Sequence, residues 1–259
     1  MTIAIAANTP STEKPTLLIE NVFTQGTLFS TGGGVPENAL GDNTFEFWTT
    51  AIATATIEVD TGDAVNCDMV GIAAHNLGSE GATVEVQSSD NGTDWTTRLT
   101  VTPTDDSAIV GVFPAVSAQY WRLRITGATV AIGVIKLGKR IIVPSGVSLG
   151  HVAMNHSARL ELLTNDSVDG QFLNTRVIRR SGETTLDFGL VPASFVDTDM
   201  LEFERLYNEG RTFFYAGNPV DLPRDVGYCK RPMGASEMRP FYEGGELMQL
   251  DFEAQIYVG

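Results

Sequence analysis

The residues of this chain that could do covalent or metal chemistry are few and scattered. Its three histidines are His75, His151 and His156. His151 and His156 stand five apart, whereas two imidazoles share a metal ion at a spacing of four on a helix or two on a strand. No cysteine or carboxylate cluster completes a site around them. His75 closes the apolar run Val70-Gly71-Ile72-Ala73-Ala74, where a hydrogen-bonded structural role is expected. The pairs Asp105-Asp106 and Asp197/Asp199 are of the type glycoside hydrolysis uses, but turns and helix starts place carboxylates in the same way. No G-x-S-x-G elbow is present. The run Thr31-Gly32-Gly33-Gly34-Val35-Pro36 lacks the Lys-Ser/Thr of a phosphate cradle and reads as flexible. The chain is expected to be no enzyme and to use no cofactor. Cys67 and Cys229 read as two free, buried thiols, suited to a reducing compartment.

Groups suited to recognition are better represented. Trp48, Trp95 and Trp121 all fall between Leu40 and Gly127. Thr83–Gln87 and Trp121–Ile125 alternate apolar and polar, the period of half-buried strands. Asp90-Asn91-Gly92-Thr93 supplies residues that tolerate a tight hairpin turn. An aromatic ring here can stack on a sugar or fill a core. Trp121, inside an alternating strand, is assigned to the core; Trp95, beside a turn, fits either role. The blocks Leu40-Gly41-Asp42-Asn43-Thr44-Phe45-Glu46-Phe47-Trp48, Ala73-Ala74-His75-Asn76-Leu77-Gly78, Ser88-Ser89-Asp90-Asn91-Gly92-Thr93-Asp94-Trp95 and Gln119-Tyr120-Trp121-Arg122-Leu123-Arg124 resemble discoidin-type, galactose-binding-like modules. That resemblance implies a β-sandwich that adheres to something and rarely catalyses. It offers Trp48, His75, Asn76, Asp94 and Trp95 as carbohydrate contacts. It also offers Asp42 and Asn43 as candidates for a structural calcium site, against the plainer reading of a turn bonded to its own backbone; no metal is assigned.

The formal net charge is −15, from 17 basic and 32 acidic residues, and no basic run exceeds a pair. A surface of that sign argues against nucleic-acid binding. With 42% hydrophobic and 19% charged residues the chain reads as an ordered globular protein. No stretch has the length of a membrane-spanning helix, so no membrane insertion is expected, and no signal peptide is read at Met1–Ala7.

Three parts are expected: an arm over residues 1–20, the sandwich over 21–142 and a second β-domain over 143–259. Val196, Met200, Phe203 and Tyr207 form one apolar stripe and predict a helix over 194–209, capped by Ser194 or Asp197 and ended by Gly210. Leu250, Phe252, Ala254, Ile256 and Val258 alternate with polar residues in a final strand. Gly170-Gln171-Phe172-Leu173, Val177-Ile178-Arg179-Arg180-Ser181-Gly182, Arg211-Thr212-Phe213-Phe214-Tyr215-Ala216 and Leu222-Pro223-Arg224-Asp225-Val226-Gly227-Tyr228 resemble, in order and spacing, proteins encoded among bacteriophage tail genes. The resemblance implies a mostly β protein whose C-terminal half is a tail-tube-like sandwich or split barrel with one helix. It implies a structural component of a tail tip or baseplate, similar to a distal tail protein and assembled in the host cytoplasm into the virion. Partners would be the chain itself in a cyclic oligomer, six-fold by the family, together with other tail proteins and host-surface glycan. Gln249, Asp251, Glu253 and Gln255 would then face a ring lumen or a subunit interface. The alternative expectation is a carbohydrate- or receptor-binding protein acting through the N-terminal sandwich.

Overall fold

The computed structural model describes residues 2–258. Among these, the strands form two sheets of eight, mostly antiparallel. The first sheet contains β1 (Thr2–Ile5), β3 (Thr27–Thr31), β4 (Trp48–Thr49), β5 (Thr54–His75), β6 (Thr83–Ser89), β7 (Thr96–Val101), β8 (Ile109–Thr126) and β9 (Ala131–Gly138). The second contains β2 (Thr16–Leu18), β10 (Ile141–Ile142), β11 (Ala158–Asp166), β12 (Phe172–Pro192), β13 (Phe213–Asn218), β14 (Leu222–Lys230), β15 (Phe241–Gly244) and β16 (Leu247–Ile256).

The first sheet becomes a sandwich because β5 and β8, 22 and 18 residues long, each belong to two layers. Thr54–Asp60 pairs with Tyr120–Thr126, and Met69–Ile72 pairs with Ile109–Val112, with register breaks at Asp60/Val65 and Cys67/Met69. Such irregularities bend a strand and increase its twist. One layer therefore holds β3, the start of β5, the end of β8, β6 and β7. The other holds β1, the start of β8, the end of β5, β9 and β4. Ile57, Val84, Trp121 and Leu123 of the first layer meet Trp48, Val70, Ile72, Ile135 and Leu137 of the second in one core.

The second layer is buried on its outer side as well. Met69, Ala73, Val110, Val112 and Val134 point away from the sandwich core and pack on Leu18, Phe214, Ala216, Val226 and Tyr228. This explains why Met69–Ala74 and Ile109–Phe113 are continuous apolar runs rather than alternating ones: strands covered on both faces need no polar positions. Gly71 is what allows the approach. A Cβ built there falls inside the van der Waals envelope of the Phe214 ring.

The first 20 residues are not an arm. Thr2–Ile5 pairs in parallel with Ile109–Val112, and Thr16–Leu18, fully buried, pairs with both β10 and β13. Between these strands, Arg140 donates to the Pro10 carbonyl at 2.6 Å. The segment thus gives one short strand to each sheet; Thr16–Leu18 is where the apolar run Thr16-Leu17-Leu18-Ile19 suggests a strand, and Thr2–Ile5 is the one its polar, Pro-bearing context concealed.

The helical run comprises Ala193–Phe195 (α1), a π-helical turn Val196–Met200, and Leu201–Asn208 (α2). Val196, Met200, Phe203 and Tyr207 are all buried, as their stripe requires. Phe203 and Tyr207 pack on Phe213 and Phe252, and the Tyr207 hydroxyl donates to the Glu253 carbonyl at 2.7 Å. Neither Ser194 nor Asp197 caps the start, where Pro192 stands with no side-chain cap. Gly210, at φ +87°, closes the end.

Candidate functional site

The five carbohydrate candidates do not converge. Trp48 and His75 both lie opposite Ile132 of β9, on the layer that faces the second unit. Trp48 is fully buried, its indole Nε1–H donating to the Gly33 carbonyl at 2.9 Å. The glycine run, with φ positive at all three residues, is thus a fitted cover over the indole rather than a flexible loop. His75 is 7% exposed and spans the Ser107 carbonyl and the Leu77 amide, and burial holds its pKa below the usual imidazole value. The Asn76 carbonyl oxygen accepts from the Ala131 amide at 2.7 Å. Trp48 and His75 are structural, because a ring committed to the core cannot meet a ligand; Asn76 is half-buried, with its side-chain oxygen taken by the Ala131 amide.

Asp42 and Asn43 do not form a calcium site. The Asp42 carboxylate accepts from Lys136 Nζ at 2.8 Å, Thr212 Oγ1 at 2.5 Å and Arg211 at 3.2 Å. Burial alone would raise its pKa, but the Lys136 charge and these hydrogen bonds outweigh burial and hold it low. An ammonium already occupies the place a cation would take. Asn43 is a turn residue, accepting from the Glu46 amide. Among the described residues no cluster of three histidine, cysteine or acidic side chains could hold a metal.

Asp94 and Trp95 remain at the surface. Ser89 and Asn91 build their turn: Asn91 Oδ1 accepts from the amides of Thr93 and Asp94, and Asn91 Nδ2 donates to Asp94 at 2.7 Å. Trp95, half-buried, carries the Arg122 guanidinium 3.9 Å from its ring centroid. That placement unites an aromatic face with a planar, donor-rich cation. Arg122 is one of a row of side chains crossing five strands on the outer side of the solvent-facing layer. Phe29 of β3 lies opposite Glu58 of β5, Glu58 opposite Arg122, Arg122 opposite Gln87, and Gln87 opposite Thr97. Gln87 accepts from Arg122 Nε at 2.6 Å and donates to Thr97 Oγ1 at 3.0 Å, which fixes the guanidinium. No acceptor among the described residues takes the two terminal amino groups of Arg122. Adjoining rows add the Arg124–Glu85 pair at 2.8 Å, and Tyr120 with the Gln119–Asp60 bond at 2.8 Å. Burial raises the Glu58 pKa, the Arg122 charge opposes that rise and Asp60 adds to it.

The outcome is a flat polar platform with a braced indole and free donors beside an acceptor, which suits hydroxyl-rich ligands. Residues 22–135 match the family model of the F5/8 type C domain. The matched residues make up the galactose-binding-like sandwich, and the platform is its solvent-facing layer. No curated protein matches the chain. Among solved structures, chitosan-binding module 1 of a chitosanase/glucanase from Paenibacillus sp. IK-5 is 20% identical, covering 46% of this chain and 98% of its own, at a TM-score of 0.38. The module CpGH89CBM32-5 from Clostridium perfringens, in complex with GalNAc-β-1,3-galactose, is 10% identical, covering 45% and 96%, at 0.39.

Sequence reading missed Glu58, Gln87 and Arg122 as site residues. Their signal was present: each is the outward residue of an alternating strand, in Ile57-Glu58-Val59, Val86-Gln87 and Trp121-Arg122-Leu123. The candidate lumen residues Gln249, Asp251, Glu253 and Gln255 form the outer face of β16, while Leu250, Phe252, Ala254 and Ile256 are buried. β16 is hydrogen-bonded to β12 on one side and to β14 and β15 on the other. It therefore offers a neighbour a polar face, and on its second side Leu250–Ala254 has no strand partner among the described residues.

Proposed function

We propose that this protein is a carbohydrate-binding protein that holds glycan on the platform of its F5/8 type C domain. The observation that supports this best is the Trp95 ring braced by Arg122 beside Glu58 on that domain. The indole would stack on a sugar face, Arg122 would donate to hydroxyls, and Glu58 and Asp94 would accept. In this reading the protein binds and does no chemistry. A glycan array probed with the full chain, followed by calorimetry on the best ligand, tests it. Trp95→Ala should weaken binding by about tenfold or more, a stacked ring being worth upwards of a kcal/mol. Unchanged affinity in that variant would remove the platform from the account.

A second reading, a ring-forming tail-tip component of a virion, draws on the tail-gene resemblance and on one structural feature. The β11–β12 ribbon leaves Leu160, Leu162, Leu163, Phe172, Leu173 and Ile178 between 47% and 92% exposed. A two-stranded ribbon is barely stable by itself in water, and exposed apolar side chains in such number suit a subunit contact. Light scattering with negative-stain imaging of the purified chain tests it: a ring supports the reading, and a monomer at all concentrations argues against self-assembly.

A further inference from the structure

The F5/8 type C domain and the second unit meet along an open cleft of about 500 Å³, away from the platform. One wall is the loop Asp42–Phe45. The other is formed by Arg180 in the middle of β12, Lys230 at the end of β14 and Tyr257 just past β16. The volume lies in the range of small-molecule sites.

The loop wall is preorganised. The Asp42 carboxylate is held by Lys136, Arg211 and Thr212, and its carbonyl accepts from the Tyr228 hydroxyl at 2.9 Å. Asn43 and Glu46 close the turn through both the Glu46 amide and its carboxylate. From this fixed loop Phe45 stands 75% exposed at the cleft. Arg180 and Lys230 are exposed, and neither makes a hydrogen bond or ion pair among the described residues. Among the other exposed arginines, Arg159 pairs with Glu183, Arg205 with Glu202 and Glu209, and Arg239 with Glu237, while Arg176 and Arg224, away from the cleft, make no ion pair among the described residues. The one carboxylate at the cleft, Asp42, is already matched by Lys136 and Arg211. The lining therefore carries an excess of positive charge next to an exposed ring.

We propose that this cleft binds an acidic saccharide of the hexuronate class, with its carboxylate between Arg180 and Lys230 and the apolar face of its ring on Phe45. A guanidinium fork suits a carboxylate, an ammonium adds a point charge, and a phenyl ring suits the C–H face of a pyranose. The choice of a sugar over another ring-bearing anion rests on the glycan-binding reading of the platform; the need for an anion with an apolar face does not.

The test uses the full chain and two probes that differ only in the carboxylate, methyl glucuronide and methyl glucoside, followed by NMR titration. The glucuronide should bind about tenfold more tightly, and more weakly as salt rises. Arg180→Gln combined with Lys230→Gln should abolish that preference, and Phe45→Ala should weaken the glucuronide. Equal binding of both probes, no saturable binding of the glucuronide, or full affinity in the double variant would each overturn the proposal. So would displacement of the glucuronide by inorganic phosphate at equal concentration, which would mark a site for small anions without sugar selectivity. Trp95→Ala separates the two readings. If it alone abolishes glucuronide binding, the cleft proposal falls and the platform stands. If glucuronide binding survives in Trp95→Ala while no neutral glycan binds the wild-type chain, the platform falls and the cleft stands.

Discussion

Replacing Gly71 by alanine tests how the two units are joined. Gly71 lies in the part of β5 that is covered on both faces, and the Phe214 ring rests where its side chain would be. To restore ordinary carbon–carbon contact the ring would have to retreat by about 1 Å or more. It has no free direction, since Phe214 is fully buried and its ring centroid lies 4.8 Å from that of Tyr228. Overpacking of this kind costs about 1–3 kcal/mol, and the lack of slack places Gly71→Ala near the upper figure. Urea denaturation should show a lower midpoint at an unchanged slope. Truncating the ring by Phe214→Ala should itself cost about 3–5 kcal/mol, mostly as a cavity. The informative measurement is the double variant. In the Phe214→Ala background the added methyl has room, so Gly71→Ala should become neutral or stabilising, giving a coupling of about 1–3 kcal/mol. If Gly71→Ala costs the same with and without the ring, the ring is not what Gly71 accommodates, and the account of the interface is wrong.

Two further perturbations follow from charges inside the second unit and at the junction. His151 donates to the buried Asp225, which also accepts from the Met154 amide at 2.8 Å and the Tyr215 hydroxyl at 3.3 Å. Burial lowers the His151 pKa, but the Asp225 hydrogen bond and charge outweigh it, so the folded value lies above the usual one. The resulting stabilisation is complete below about pH 6.5, the unfolded imidazole's pKa, and is lost as pH rises through the folded value. The melting-temperature gap between wild type and His151→Gln should therefore narrow from about pH 6 to pH 8, and a constant gap would contradict the pairing. Lys136, 3% exposed, joins Asp42 to the carbonyls of Ile19 and Thr212. Lys136→Met should cost about 3 kcal/mol in chemical denaturation, part of it recovered by adding Asp42→Asn; a change below about 0.5 kcal/mol would mean the ammonium is not satisfied there.

Legibility followed the number of faces a strand buries. Where one face is wet, the pattern was plain: the alternation of Trp121–Ile125 and of Leu247–Ile256 states which residues go inward, and both do so. The helix stripe was equally readable. Trp48 misled because residue type alone marks an aromatic as a recognition group, while its burial depends on Gly33, 15 residues away along the chain; His75 has the hydrogen-bonded structural role expected of it, with a partner, Ser107, 32 residues away. Asp42 misled in the same way: its partners Lys136, Arg211 and Thr212 lie from 94 to 170 residues away. Arg122 went unnoticed because its significance depends on Trp95 and Gln87, brought beside it only by the order β8-β6-β7.

The two outer faces of the sandwich explain where recognition can occur. The layer carrying the end of β5 and the start of β8 is sealed by Phe214, Val226 and Tyr228, which removes that whole face from solvent. The same seal draws Asp42 and its loop into the junction, with Phe45 left outside. The opposite layer has no such cover, and its outward positions are charged, amide, hydroxyl or aromatic across all five strands. One unit thus anchors the other through a continuous apolar layer, so the platform and the cleft are fixed with respect to each other by packing rather than by a linker. A glycan long enough to reach both would bind with the advantage of two tethered sites, its gain set by whether its length matches their separation. Affinity measured against oligomers of increasing length would show a step at that length if both sites act, and a smooth dependence if only one does.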